Sequence, residues 1–273
     1  MRFLFIFIGL FACFTGIQAQ TYEELIDKSF DYLEKNELKA AEESLKAALH
    51  KEPANPGNYL LLTNLGTIQR RLGEKQDALL SYTAALSLQP QSTPLLENRA
   101  SLYSELNEPD KAISDYTALL IIQPENPDAL YYRGLLYIQQ RKFLEAEADF
   151  EKMLAGNEKS VRARVGYAIL EKMRGNYDGA ERIYTYLIGE LPKDYTLYIG
   201  RAEVYFLKGK NARALADLNK VFAAGEQDAY LYVLRGKIKL AQYEKEAAAA
   251  DFGKALEMGY DAQVIADLTN LCK

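Results

Sequence analysis

The sequence has very little of the side-chain chemistry on which metal sites and nucleophilic enzymes depend. It contains two cysteines and one histidine in 273 residues, and it has no glycine-rich phosphate loop. Cys13 falls in an N-terminal segment that we expect to be removed, which leaves Cys272 as the remaining thiol. An internal disulfide framework and a cysteine metal site are therefore excluded. Cys272 is interpreted as a small apolar residue of a terminal helix, with an intermolecular disulfide as the alternative.

Neither the charge balance nor the single histidine indicates a polyanion partner or acid–base catalysis. Lysine and arginine total 33 against 38 aspartates and glutamates, a formal charge of -5 that favours solubility and gives no nucleic-acid footprint. His50 is expected on the surface near the end of a helix, and carboxylates such as Glu145 and Glu147 are interpreted as solvated. We predict a protein with no catalytic residue, no metal and no cofactor, and hence no enzyme activity.

Long apolar runs are absent apart from one at the N-terminus. Arg2 precedes an apolar stretch from residue 3 to 12, and a small-residue cleavage site ends at Ala19. This layout predicts a secretory signal peptide at residues 1–19, cleaved after Ala19, because the stretch is short for a bilayer span. Lipidation of Cys13 and an uncleaved anchor are the alternatives. The mature chain is then expected outside the cytoplasm, periplasmic or associated with the cell envelope, with no membrane span.

A helix-turn-helix pattern returns along the rest of the chain at a nearly constant interval. Copies begin near residues 22, 59, 93, 127, 161, 195 and 229, an offset of 37 followed by five of 34. The second helix of every copy has an alanine at the same place: Ala41, Ala78, Ala112, Ala146, Ala180, Ala214 and Ala248. Two helices approach closely only where neither presents a bulky side chain. The pattern therefore predicts seven packed helix hairpins.

The turn inside each hairpin is expected to contain a residue that tolerates a left-handed backbone. Asparagine or glycine stands there in five copies: Asn36, Gly73, Asn107, Gly175 and Gly209. Arg141 and Tyr243 depart from this pattern, and the break in the last copy is expected to come a residue or two early.

From Tyr22 to Tyr260 the chain resembles the tetratricopeptide repeat family. The resemblance implies an all-α, right-handed superhelical solenoid of seven helix-turn-helix repeats, whose first helices line a concave groove that binds a peptide or protein segment. The predicted solenoid spans residues 20–273. Its repeats lie near 22–55, 59–92, 93–126, 127–160, 161–194, 195–228 and 229–261, followed by a capping helix at 262–273. The apolar stripe of that helix, Val264, Ile265, Leu268 and Leu271, is expected to cover the last repeat.

Comparison of the seven copies predicts a set of structural ion pairs. Four copies have arginine in the first helix and aspartate sixteen residues later, and the other three have neither. These pairs are Arg99 with Asp115, Arg133 with Asp149, Arg201 with Asp217, and Arg235 with Asp251. Positions equally far before and after the turn lie side by side in an antiparallel hairpin, so each pair is predicted to join its two helices.

The face of each first helix that points away from the second helix is predicted to line the partner-binding groove. Its early part is polar, and its middle and late parts are apolar with tyrosine at the edge. The residues selected as groove candidates are Asn64, Arg70, Arg71, Asn98, Tyr131, Tyr132, Leu135 and Ile169. Further positions on this face include Ile138, Val165, Met173, Ile199, Phe206 and Val233, many of which could instead pack against the next repeat. The carboxylate-clamp lysines of the family are replaced by Ile26, Phe30 and Pro94, so no clamp is predicted.

These patterns predict a non-catalytic protein–protein interaction scaffold of a bacterial-type envelope or periplasm. The partner is expected to be a protein or peptide segment held in the groove. A small-ligand or glycan-binding protein that uses the hollow of the superhelix is the alternative.

Overall fold

The computed structural model describes residues 20–273, and the predicted signal peptide at 1–19 lies outside the described residues. Within 20–273 the chain forms fifteen helices and no strand, which confirms the predicted all-α class. The helices are α1 Tyr22–Glu34, α2 Leu38–Lys51, α3 Asn58–Arg71, α4 Lys75–Leu88, α5 Thr93–Glu105, α6 Pro109–Ile122, α7 Pro127–Gln139, α8 Phe143–Gly156, α9 Val161–Arg174, α10 Tyr177–Glu190, α11 Tyr195–Leu207, α12 Asn211–Ala223, α13 Ala229–Ala241, α14 Lys245–Glu257 and α15 Ala262–Asn270.

The chain divides between Leu102 and Tyr103, inside α5, into two compact units. In the N-terminal unit, α1 packs on α2, α2 on α3, and α3 on α4. Its apolar core is built from both helices of the first pair and the first helix of the second, as shown by Leu25, Leu45 and Leu65. The second-helix alanines Ala41 and Ala78 have no exposed surface, as close helix packing requires.

The C-terminal unit repeats the same packing of consecutive helix pairs. α7 packs on α8, α9 on α10, α11 on α12 and α13 on α14, and first helices also contact the next first helix. At Gly134 a Cβ atom would lie 2.7 Å from the ring of Phe150, so only glycine permits this approach. Gly236 has the same relation to Phe252, at 2.5 Å. In these two copies the small residue of the first helix is therefore explained by the ring that packs on it.

Helix α15 covers the end of the last pair with part of its predicted stripe. Asp261 caps the helix by accepting a hydrogen bond from the Val264 backbone N–H at 2.9 Å. Ile265 is 3% exposed and packs in the core with Phe252, whereas Val264 and Leu271 are 41% and 63% exposed. The expectation of one continuous covering stripe was wrong for these two residues, because they lie on the outer side of the helix.

All seven hairpin turns contain one residue with a left-handed backbone. The φ angles are Asn36 58°, Gly73 81°, Asn107 56°, Arg141 59°, Gly175 83°, Gly209 70° and Tyr243 63°. Arg141 and Tyr243 were expected to be exceptions because of their side chains. Their backbones nevertheless adopt the same left-handed conformation as the other five turns. The last turn also stays in register, with Tyr243 in the place of Gly209. The repeat geometry imposes this conformation even on side chains that disfavour it.

None of the described helices is both long enough and apolar enough to cross a bilayer.

Candidate functional site

The structure brings three of the predicted arginine and aspartate pairs together within the C-terminal unit. Arg133 donates from Nε and Nη2 to the two carboxylate oxygens of Asp149, at 2.9 and 2.6 Å. Arg201 binds Asp217 in the same bidentate way at 2.8 and 2.8 Å, and Arg235 binds Asp251 at 2.9 and 2.6 Å. All three aspartates are buried. Each pair ties the first helix of its hairpin to the second.

A third member of this arrangement was missed in the sequence. Arg133 Nη1 also donates to Thr117 Oγ1 at 3.0 Å, and Arg201 Nη1 donates to Thr185 Oγ1 at 3.2 Å. Each threonine lies on the second helix of the preceding pair, sixteen residues before its arginine. The guanidinium therefore joins successive hairpins as well as the two helices of its own. The regular spacing of threonine before arginine was the signal that could have revealed this contact.

The first and last predicted pairs differ from the two in the middle. Arg99 donates to Thr83 Oγ1 at 3.3 Å, but Arg99 and Asp115 fall on opposite sides of the unit boundary, so their pairing stays a prediction. Asp251 accepts a second cation, Lys239 Nζ, at 2.8 Å from Oδ2. The threonine is missing from this copy, because Asn219 stands sixteen residues before Arg235.

The N-terminal unit has a different buried polar network, which was not predicted. Glu42 is 2% exposed and accepts from Lys46 Nζ at 2.7 Å and from Gln69 Nε2 at 3.1 Å. Ser81 donates to Gln69 Oε1 at 2.7 Å, which continues the network from α3 to α4 of the second pair. Burial raises the pKa of Glu42, but the hydrogen bonds from Lys46, Gln69 and Lys39 outweigh it and lower the pKa to about 2. The expectation that glutamates lie on solvated faces was wrong for Glu42.

The predicted groove residues of the N-terminal unit form a polar surface. Arg70 Nη2 donates to Ser101 Oγ at 2.8 Å, and Arg71 Nη2 donates to Asn36 Oδ1 at 2.8 Å. Asn64 and Asn98 are half-buried on α3 and α5. Both arginines thus already have partners in the chain, which reduces their freedom to receive a ligand.

The first helices of the C-terminal unit present a row of apolar side chains, called here the apolar row: Leu135, Val165, Ile169, Ile199 and Phe206. Each is half-buried, so part of its surface packs in the core and part faces outward. Met173, on α9, is 46% exposed. Ile138 and Val233 were also expected on this face, but they are 4% and 0% exposed and belong to the core. The exposed part of the face is therefore narrower than the sequence indicated.

Tyr131 and Tyr132 lie at one end of the apolar row and are partly covered by a neighbouring arginine. Tyr132 is 42% exposed, and Tyr131 is half-buried with its ring 6.2 Å from that of Phe150. The guanidinium carbon of Arg162 lies 4.3 Å from the centre of the Tyr131 ring and 4.8 Å from that of Tyr132. Arg162 also pairs with Asp128. Sequence reasoning missed this cation–π contact, which holds the two tyrosines in place.

Charged groups along the apolar row are paired between successive first helices. Lys172 on α9 pairs with Glu203 on α11, and the Tyr230 hydroxyl on α13 donates to the same carboxylate. Burial and the nearby Glu203 carboxylate raise the pKa of Tyr230. No cluster of three metal-ligating side chains occurs within residues 20–273. The face therefore offers apolar contact area bordered by neutralised charges, an arrangement suited to binding a segment.

Comparison with known proteins identifies the family. The tetratricopeptide repeat family model matches residues 30–93, 98–161 and 168–229, more than half of the chain. The chain belongs to the tetratricopeptide repeat family. A tetratricopeptide repeat protein from Parabacteroides merdae ATCC 43184 has a similar crystal structure, with 64% sequence identity and a TM-score of 0.89. The similarity covers 92% of this chain and 98% of that one.

Two more distant relatives support the fold over parts of the chain. The crystal structure of PilW, a widely conserved type IV pilus biogenesis factor, is 19% identical with a TM-score of 0.58, and covers 74% of this chain and 92% of that one. RNA polymerase II-associated protein 3 of Xenopus tropicalis is 32% identical over 110 residues, which is 38% of this tetratricopeptide repeat protein. The matched part spans 17% of the frog protein's length. The predicted repeat-solenoid architecture is confirmed.

Proposed function

We propose that this tetratricopeptide repeat protein is a non-catalytic scaffold that binds a peptide or protein segment along the first helices of its C-terminal unit. The apolar row carries this proposal, because its half-buried side chains leave apolar surface exposed that a partner can cover. Tyr132 adds a large, partly exposed ring at one end. Repeats of this family typically bind proteins or peptides, which agrees with such a surface.

The N-terminal sequence supports a proposal about where the protein acts. We propose that residues 1–19 direct export and that the protein works in a bacterial-type envelope or periplasm. Cell fractionation of the full chain and of a variant that begins at Gln20 tests this step. Export of the full chain and cytoplasmic retention of the variant are expected. Equal distribution of the two would contradict the proposal.

A co-purification with matched variants tests the binding face. Met173→Asp places a charge beside the apolar row, and Leu144→Asp places the same charge on α8, where Leu144 is 76% exposed. The wild-type chain and Leu144→Asp are expected to retain one stoichiometric protein from envelope extract, and Met173→Asp to lose it. Tyr131→Ala with Tyr132→Ala is expected to weaken the same complex while helical content is retained.

Two results would contradict this function. Equal recovery by Met173→Asp and Leu144→Asp would exclude the apolar row as the binding face. Thermal stabilisation of the chain by a sugar or small metabolite, with no protein recovered, would favour a small-ligand-binding protein instead.

A further inference from the structure

The fifth helix pair, α9 with α10, interrupts the polar pattern of its neighbours. In the fourth and sixth pairs an arginine lies between an aspartate of its own second helix and a threonine of the preceding one. The equivalent places in the fifth pair hold Tyr167, Ile183 and Glu151. A charged, space-filling group is thus replaced by a ring and a branched aliphatic side chain.

A hollow of about 380 Å³ lies at this interruption. It is lined by Leu154, Arg164, Tyr167, Arg182, Ile183 and Tyr186. Tyr167 lines the hollow, and burial together with the Glu151 and Glu147 carboxylates raises the pKa of Tyr167 to about 12. Leu154, Ile183 and the ring of Tyr167 make the inner wall of the hollow largely apolar.

Two arginines at the mouth of the hollow are not neutralised by an ion pair. Arg164 donates to the backbone carbonyl of Glu158 at 3.0 Å and lies over the Tyr186 ring at 4.8 Å, contacts that fix the guanidinium but leave its charge. Arg182 is exposed, and no hydrogen bond or ion pair within 4 Å joins it to another of residues 20–273, although its charge helps to lower the pKa of the exposed Asp178 carboxyl. Lys208 nearby differs, because it pairs with Asp178 and Glu181. The hollow thus combines an apolar wall with two available positive charges.

The hollow is part of a longer depression. Two further hollows, of about 610 and 220 Å³, also include Tyr186 in their lining. One contains Arg182 and the other Arg164, so the two arginines each border two hollows. The three hollows together are longer than a single residue. This length favours an extended segment that continues past the central hollow on both sides.

We propose that the face formed by α8, α9 and α10 at Tyr186 binds an acidic peptide segment of a partner protein. A bulky apolar side chain of the segment enters the hollow beside Tyr167 and Ile183, and a neighbouring Asp or Glu carboxylate binds Arg164 and Arg182. This face is separate from the apolar row, so the protein holds two segments on two surfaces. The proposal does not depend on binding at the apolar row.

Selection from a random peptide library on the immobilised full chain provides the probe. Enriched peptides are expected to contain Leu, Ile or Phe next to Asp or Glu, and their binding is then measured by fluorescence anisotropy. Arg182→Gln removes an exposed charge without touching the core and is expected to weaken binding about tenfold. Amidation of the carboxylate in the peptide is expected to have a similar effect, and Met173→Asp none.

The variant that introduces the arginine and aspartate pair into the fifth helix pair gives the sharpest test. Tyr167→Arg with Ile183→Asp and Glu151→Thr recreates the arrangement seen at Arg133, Asp149 and Thr117, and it should fill the hollow. Loss of peptide binding with unchanged helical content is expected. If this variant fails to fold, Arg182→Gln and Arg164→Gln decide the question.

Several outcomes would overturn the proposal. These are enrichment of peptides without acidic residues, binding unaffected by the arginine variants, enrichment only of peptides whose free C-terminal carboxylate is required, or no enrichment. Peptides that bind the chain but lose binding in Met173→Asp alone would leave the apolar row as the binding face and exclude this one.

Discussion

The N-terminal and C-terminal units build the same helix pairs around different polar interiors. The N-terminal unit buries Glu42, which is satisfied by two lysines and by Gln69. The C-terminal unit repeats a bidentate arginine and aspartate pair, as at Arg133 and Asp149. In both units a buried carboxylate ties helices together, but its partner comes from a different position of the repeat. The close-packing residues define the fold, and the polar ties can vary.

The two units also differ on their first-helix faces. Arg70 and Arg71 in the N-terminal unit already bind side chains of the chain itself. The C-terminal unit presents Leu135, Ile169 and the other members of the apolar row, which are half-exposed. This difference is the reason for proposing that partners bind the C-terminal unit. The polar face of the N-terminal unit is better explained by contacts within the chain.

Breaking one C-terminal ion pair should give the largest loss of stability. Asp149→Ala leaves the Arg133 guanidinium without its carboxylate in a largely buried site, and it is expected to lower the free energy of unfolding by about 3 kcal/mol. Urea denaturation followed by circular dichroism measures this. Arg133→Met with Asp149→Leu removes both charges and should recover most of the loss. A loss below about 1 kcal/mol for Asp149→Ala would mean that the pair behaves as a solvated one.

The N-terminal network should give a pH-dependent loss. The folded pKa of Glu42 is about 2 against an ordinary value of 4.5, so its stabilisation is fully present above pH 4.5 and is lost as the pH falls towards 2. Glu42→Gln is expected to cost on the order of 2 to 3 kcal/mol at neutral pH and to flatten the acid limb of the stability profile. Denaturation across pH tests this. Glu43→Gln, at an exposed neighbour, is the control and should retain the limb.

The threonine contact should give a smaller effect. Thr117→Val removes the hydrogen bond to Arg133 Nη1 and is expected to cost about 1 kcal/mol in urea denaturation. Asn219→Ala changes the equivalent position before Arg235, where Asn219 is exposed, and should cost almost nothing. Equal costs at the two positions would contradict the role of threonine in joining successive hairpins.

The smallest predicted effect is a gain in stability. Tyr243 has a φ of 63° and is 88% exposed, so its ring gives little packing in return for the left-handed backbone. Tyr243→Gly is expected to stabilise the chain by about 0.5 to 1 kcal/mol, because the relief of strain exceeds the entropy cost of glycine. Gly209→Ala introduces a side chain at the equivalent turn and should destabilise the chain. A rise in melting temperature only in Gly209→Ala would contradict this account.

The fold was predictable because its determinants repeat at fixed spacing. Gly134 and Ala146 mark the close approach of two helices, and each copy of the pattern reinforces the others. The arginine and aspartate spacing placed Arg133 beside Asp149 for the same reason. Features that occur in a single copy could not be predicted from repeated spacing. The network of Glu42, Gln69 and Ser81 has no second copy, so its glutamate looked like any solvated one.

The candidate site was less predictable, because helical periodicity alone does not give the depth of a side chain. Ile138 and Val233 were expected on the same face as Ile169, but both are buried, Val233 against Phe252 of α14 and Ile265 of α15. The covering of Tyr131 and Tyr132 by Arg162 depends on the packing of α9 against α7, which the sequence of one repeat does not contain.

Hydrogen–deuterium exchange of the chain with and without its isolated partner tests the central claim most directly. We expect slower exchange in α7, α9 and α11, where the apolar row lies, and unchanged exchange in α1 and α3 of the N-terminal unit. Protection confined to α1 and α3, or absent from α7, α9 and α11, would contradict the assignment of the binding face.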